Sequence, residues 1–279
     1  MTIMAQAAPK RKYTKRSTVG QTGKRKKKRK KTVKLSNSCV ILSAALLLLL
    51  LIVTPLFRNR ATRHDGEPLP EISFSALGID ISHNNKGPIV WDSLYVLTDR
   101  QGHMHKSMKD ARNVYPIKFV FIKASEGVGM KDPMFKQNWE AAGERNIQRG
   151  AYHFFRSSKD GELQARNFIN TVGELRHSDL PPVLDIETIH LGCSRKLLNQ
   201  RALQWLKTVS EAYGRKAIVY SSESFIRDML DKEITDNYPI WIAHYGVSSP
   251  DTDNWDFWQF TDRACVYGLP EPVDLNLRR

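Results

Sequence analysis

Asp185 and Glu187 close the run PPVLDIE at 181–187, and their types and spacing point to chemistry. Side chains two apart on a strand share a face, with about 6.6 Å of rise between their α-carbons. Val183, Leu184 and Ile186 surround them, so the strand reads as buried. Two acids on one face of a buried strand are expensive to desolvate unless something uses them. Like charges so close push one pKa upward, leaving a carboxyl able to donate a proton beside a carboxylate. Cleavage of a glycosidic bond needs that combination: an acid for the leaving oxygen and a negative charge near the anomeric centre. A salt-bridged strand end is the competing reading of a lone Asp-x-Glu, because structural ion pairs also perturb pKa values.

Such a pair needs a scaffold. Short apolar runs recur at 74–82, 118–125, 150–155, 182–187, 216–222, 238–245, 256–261 and 272–277. Most are continuous rather than alternating, as strands buried on both faces are. Between them, 132–146, 160–176, 194–214 and 222–231 carry helical patterns. In 194–214, Leu198, Ala202, Trp205, Leu206 and Val209 recur at helical spacing, Ser194 suits an N-cap and Gly214 a stop. After the sixth run the helices disappear. The pattern predicts an α/β fold, a closed TIM-like barrel of eight strands, with its chemistry at the C-terminal strand ends. Asp80, Asp185, Glu187, Asp274 and Glu126 are the acids at such ends. Tyr152, Tyr220, Trp241, Tyr245 and Trp258 fall in or beside the same runs, and aromatic faces at a barrel mouth suit the apolar faces of sugar rings. Trp205, on the apolar face of a helix, is assigned to the core.

The net charge of +14 invites a nucleic-acid reading, and its distribution argues against one. Residues 1–38 hold 14 Lys or Arg and no acid; the remaining chain has 29 basic and 29 acidic residues. A nucleic-acid-binding domain carries its basic patch on its own surface. Residues 1–38 read as a disordered basic tail suited to anionic membrane lipids. Residues 39–57 have no charge and seven leucines between Leu42 and Leu51. About 20 apolar residues span a bilayer, so this run is expected to be a transmembrane helix. The basic excess before it predicts a single-pass protein with a cytoplasmic N-terminus and residues beyond about 58 outside, periplasmic or extracellular. Residues 58–71 read as a linker, and 72–279 as one domain.

Other signals are weak. No nucleotide loop follows a strand, and no cofactor is expected. The three cysteines are too few for a disulfide scaffold, although Cys193 and Cys265 are both expected on loops at the C-terminal end of the barrel, where a bridge is open to them. His103 and His105 lie in a polar insert at 99–115 and read as surface histidines; no third ligand has suitable spacing, so no metal is expected.

GIDISHNN, FIKASEG, RGAYHFF, PPVLDIE, VYSS, IWIAHY, WQF and VDLN follow one another as in the glycoside hydrolase family 25 lysozymes, the Chalaropsis-type muramidases. The chain resembles that family over residues 78–276. The resemblance implies a (β/α)5(β)3 barrel and hydrolysis of the β-1,4 bond between N-acetylmuramic acid and N-acetylglucosamine, with peptidoglycan glycan strands as the partner. It implies Glu187 as general acid, Asp185 as the residue that orients the substrate's N-acetyl group, and Asp80 and Asp274 as flanking acids. Tyr152, Trp241, Tyr245 and Gln259 match substrate-lining positions. The rival reading is a catalytically silent, membrane-anchored glycan-binding barrel. The tail, the apolar run and the insert depart from the simplest family members.

Overall fold

The computed structural model describes residues 68–70, 75–145 and 147–279. The tail at 1–38, the apolar run at 39–57 and most of the linker lie outside them. Among the described residues no helix is long and apolar enough to cross a membrane.

The eight apolar runs become the eight strands of a closed barrel. They are β1 (Ala76–Ile81), β3 (Asn113–Glu126), β5 (Gln148–Phe154), β6 (Val183–Asp185), β7 (Ile218–Ser222), β8 (Ile240–Ala243), β9 (Phe257–Ala264) and β11 (Val273–Arg278). Neighbours pair in that order, and β1 pairs with both β3 and β11, which closes the ring. All pairings are parallel except those of β11, which runs against β9 and β1. The sheet is therefore mixed. Continuous burial of IWIA in β8 and VLD in β6 follows from cover on both faces.

Helices α1 (Phe135–Gly143), α2 (Gly161–Val172), α3 (Arg195–Tyr213), α4 (Glu223–Met229) and α5 (Lys232–Thr235) fill the crossovers from β3 to β8. Asp160, Ser194 and Ser222 cap α2, α3 and α4 by accepting a backbone N–H, and Gly214 ends α3 at φ 64°. Trp205 is fully buried on the outer side of the barrel, against His153 and Phe168. The crossover from β1 to β3 holds one 3-10 turn, Trp91–Ser93, and the short strand β2 (Tyr95–Thr98) in place of an α-helix.

That crossover corrects the expectation of a polar loop at 99–115. Asn113–Pro116 already belong to β3 and pair with β2, which pairs in turn with β10 (Val266–Tyr267). Met104 is fully buried. His103 meets Asp99 at 3.3 Å, and His105 is half-buried rather than on the surface. The apolar alternation of this small side sheet is spread over three short segments, too little for a periodicity signal. Pro68 bridges His103, and Leu69 donates to the Gly102 carbonyl at 3.4 Å. A remaining hairpin strand, β4 (Met130–Lys131), pairs with the end of β3.

The barrel interior is a floor of rings. Phe121 stacks on Trp241 at 4.4 Å, and Phe119, Phe257 and Tyr220 pack around them. Gly78 and Gly150 make room: a Cβ at either would fall 2.3 Å from the Phe119 ring or 2.5 Å from the Phe121 ring.

Candidate active site

Above this floor the same inward-facing registers turn polar. On β1 Asp80 stands two residues beyond Gly78, on β3 Lys123 two beyond Phe121, and on β6 Asp185 two beyond Val183. Period-two geometry aims them all into the mouth. They line a cavity of about 360 Å³ with Tyr152, Phe154, Glu187, Tyr220, Trp241, Tyr245, Gln259 and Asp274. The eight site residues that the family resemblance implied therefore meet in one place. Glu187 lies just past the end of β6, so the shared face continues beyond the strand itself. Asp274 comes from the antiparallel strand and sits opposite Asp80 in the β1–β11 register.

A polar network sets the far wall. Asp80 Oδ2 accepts from Gln259 Nε2 and Asn276 Nδ2, both at 2.8 Å. Gln259 Oε1 accepts from the hydroxyls of Tyr220 and Tyr245, and Asn276 Oδ1 from the Trp241 indole at 2.8 Å. Each amide is thus held in one orientation, and its N–H is aimed at Asp80. Even so, burial pushes Asp80 up to about 6, against the lowering effect of these donors. Burial, then Asp80 and Asp262, push Asp274 up to about 8. Burial and the Glu187 charge hold Asp185 well above the usual carboxylate range, with Lys123 opposing. Glu187 is also raised by desolvation, while its hydrogen bond with Asp185 and the Lys123 charge pull it down. Asp185 is 5 % exposed, and its Oδ1 has no hydrogen-bond partner. The site can therefore hold protonated and ionised carboxyls side by side near neutral pH, and one buried carboxyl oxygen of Asp185 is left without a partner.

The model of the glycosyl hydrolases family 25 matches residues 79–269. The chain belongs to this family. It is 38% identical over 207 residues to the uncharacterized protein YegX of Escherichia coli K12, covering 74% of this chain and 70% of that one. It is 31% identical over 213 residues to lysozyme M1 of Streptomyces globisporus, covering 71% and 66%. The structure of a family 25 glycosyl hydrolase from Bacillus anthracis superposes with a TM-score of 0.62 at 27% identity, over 78% of this chain and 94% of that one. The chain is accordingly an enzyme, a glycoside hydrolase, rather than a silent barrel.

This family 25 site has a second lobe. Glu187, Tyr220 and Tyr245 also border a cavity of about 610 Å³ lined by Ser222, Glu223, Ser224, Arg227, His244 and Asp251. Glu223, His244 and Asp251 bring oxygen and nitrogen atoms of metal-ligand type within 4.8 Å of one another, and the His244 Nδ1 and a Glu223 carboxylate oxygen are in direct contact. The sequence reading missed this group: Glu223 starts α4, while His244 and Asp251 lie in the loop between β8 and β9, with no ligand spacing to reveal them. It also missed Lys123 and Asn276, which lie three residues before Glu126 and two after Asp274.

Other expectations end elsewhere. Glu126 is held by Lys123 and Arg156 and does not line the cavity. Trp258 is fully buried in the outer core, its indole donating to the His244 carbonyl. Cys193 and Cys265 are free thiols. They follow β6 and β9, three strands apart around the barrel. At about 4.8 Å per strand that is roughly 14 Å of sheet, twice the reach of a disulfide.

Proposed function

We propose that this chain is a lysozyme, a muramidase that hydrolyses the β-1,4 bond between N-acetylmuramic acid and N-acetylglucosamine in peptidoglycan. Family membership supports the reaction class, and the lysozyme of Streptomyces globisporus among its relatives supports the substrate. The observation that carries the reading is the convergence of Asp80, Asp185, Glu187 and Asp274 from three strands on one cavity with aromatic walls.

In this reading Asp185 and Glu187 share one proton across their hydrogen bond. Asp185 is buried and Glu187 exposed, so Glu187 is the partner able to reach a glycosidic oxygen. Glu187 protonates that oxygen as the bond to the anomeric carbon breaks. The carbonyl oxygen of the substrate's N-acetyl group attacks the same carbon, and Asp185 orients the acetamide. Water, deprotonated by Glu187, then opens the cyclic intermediate. Tyr152, Trp241, Tyr245 and Gln259 shape the sugar site, and Asp80 and Asp274 flank it. No cofactor takes part.

Glu187→Gln preserves shape and removes the acid. General acid catalysis contributes about 10²–10⁴-fold, so release of reducing ends from peptidoglycan by the full chain should fall by that order while circular dichroism is unchanged. Retention of more than a tenth of wild-type turnover removes Glu187 from the role.

Residues 39–57 are proposed to anchor the enzyme, tail inside and barrel outside, where peptidoglycan lies. Protease added to spheroplasts should then digest the barrel and leave the tail protected. Protection of the barrel until the membrane is opened would refute this orientation.

A further inference from the structure

Among the described residues lining the catalytic cavity, Lys123 is the one cation. It is 8 % exposed, on the inward face of β3 one layer above the aromatic floor. Its Nζ donates to Glu126 Oε2 at 2.7 Å and lies 4.7 Å from the centre of the Phe154 ring. Glu126 does not serve Lys123 alone. Arg156 Nε donates to Glu126 Oε1 at 2.9 Å, a second guanidinium nitrogen contacts the same oxygen, and the guanidinium packs 4.8 Å from the same ring. Two cations therefore share one carboxylate, and the group keeps a surplus positive charge. Arg156 is open to solvent, whereas Lys123 is enclosed. Water screens the outer cation, so the surplus is felt on the cavity side. A buried ammonium with half a counter-ion is unfavourable unless another negative charge faces it. Asp185 and Glu187 line the same cavity and both feel the Lys123 charge, so the pair can supply it.

We propose that Lys123 is a positioning residue, whose surplus charge, left over because Glu126 is shared with Arg156, keeps the Asp185–Glu187 pair singly negative and ready for proton transfer. The proposal rests on the reading of these two residues as the reacting pair. The remaining groups around the pair have other characters. Asp80 on β1, Glu271 before β11 and Asp274 on β11 are acids like the pair, and Tyr152, Tyr220 and Tyr245 on β5, β7 and the loop after β8 are neutral hydroxyls. Asp262 on β9 acts on Asp274, and Asp132 after β4 acts on Tyr152. From the second lobe, Glu223 contacts His244, and Arg227 pairs with its neighbour Asp228, leaving no uncommitted Lys or Arg there for Glu187 among the described residues.

Removing the Lys123 charge makes the negative pair harder to form; removing the Glu126 charge makes it easier. The test is a carboxyl ¹³C titration of the full chain without substrate. Lys123→Met should move the titration of Asp185 and Glu187 to higher pH by about 1 unit or more, and Glu126→Gln should move it to lower pH. Lys123→Arg should hold it near the wild-type position. The pH profile of peptidoglycan hydrolysis should follow in the same directions. A purely structural role would lower activity or stability and leave both titrations in place, and that result overturns the proposal. Should Lys123→Met fail to fold, Glu126→Gln decides alone: a shift to lower pH supports the proposal, and no shift overturns it. If the titrations move as expected while the wild-type chain releases no reducing ends, the charge device stands and the lysozyme reading fails.

Discussion

At the end of the barrel away from the mouth, Arg149 on β5 meets Asp179 in a buried ion pair, Nε to Oδ1 at 2.8 Å. Its guanidinium also donates to the Trp139 carbonyl at 2.8 Å and stacks 4.2 Å from the Trp139 ring. Asp179 Oδ2 in turn accepts from the Arg176 backbone N–H. At the mouth, Asp80, Asp185, Glu187 and Asp274 face one cavity that is lined by a single lysine. Both ends bury charge. One end matches every charge with a partner; the other leaves carboxyls under-compensated, so that protonation becomes the cheaper way to neutralise them. The difference separates a structural ion pair from a site with chemistry, a choice that an Asp-x-Glu in sequence leaves open.

The largest expected effect comes from breaking the matched end. Arg149→Met strands the Asp179 carboxylate in the interior, and removing one partner of such a pair costs about 3–5 kcal/mol. Urea unfolding should show the loss, while turnover per folded molecule stays at the wild-type level because the mouth is untouched. A variant of wild-type stability would show that the end is not held by this pair.

Easing the under-compensated end should do the reverse. Asp80 is raised from 3.8 to about 6, so the native state holds its proton more tightly than the unfolded chain does. Stability is therefore lost as pH rises from about 4 through about 6, because the unfolded state sheds protons first. Asp80→Asn removes that loss and can still accept from Gln259 and Asn276. It should unfold later than wild type above pH of about 6, by on the order of 2–3 kcal/mol, and show no gain below about 4. Equal stabilities at high pH would mean that the amide donors already compensate Asp80 in full.

The smallest effect should come from removing both members of the matched pair. Arg149→Met with Asp179→Leu replaces a buried ion pair by apolar groups, an exchange that is often close to neutral. The Arg176 N–H loses its acceptor, so a residual loss of about 1–2 kcal/mol is expected. A double variant as unstable as Arg149→Met alone would assign the damage to packing rather than to the stranded charge.

Much of this was legible in advance. The eight runs read as strands became the barrel strands because hydrophobic continuity reports burial on both faces wherever the strand lies. Ser194 and Gly214 worked for a local reason, since a cap is settled by the residue and its own turn. The carboxyls at strand ends were legible once a barrel was assumed, because the fold gathers those ends. The side sheet at 95–98, 113–116 and 266–267 was not, since its strands are short and come from distant parts of the chain. Glu126 and Asp185 look alike in sequence, as acids near the ends of apolar runs. Only the approach of Arg156, 30 residues away, shows that the first is clamped and the second is not.

The sequence by itself determined the strands, the helix ends, the concentration of positive charge in the first 38 residues, and the strand-end acids Asp80, Asp185, Glu187 and Asp274 as candidates for the mouth. These follow from local periodicity, composition and side-chain type, which need no knowledge of what lies across the barrel. The tertiary structure decided which acids go without a cation, that Gln259 and Asn276 aim their amides at Asp80, that a second lobe adjoins the first, and that Lys123 is the cation facing the pair. Those outcomes depend on distance and desolvation between segments up to 196 residues apart, and neither quantity is written in any one stretch of chain.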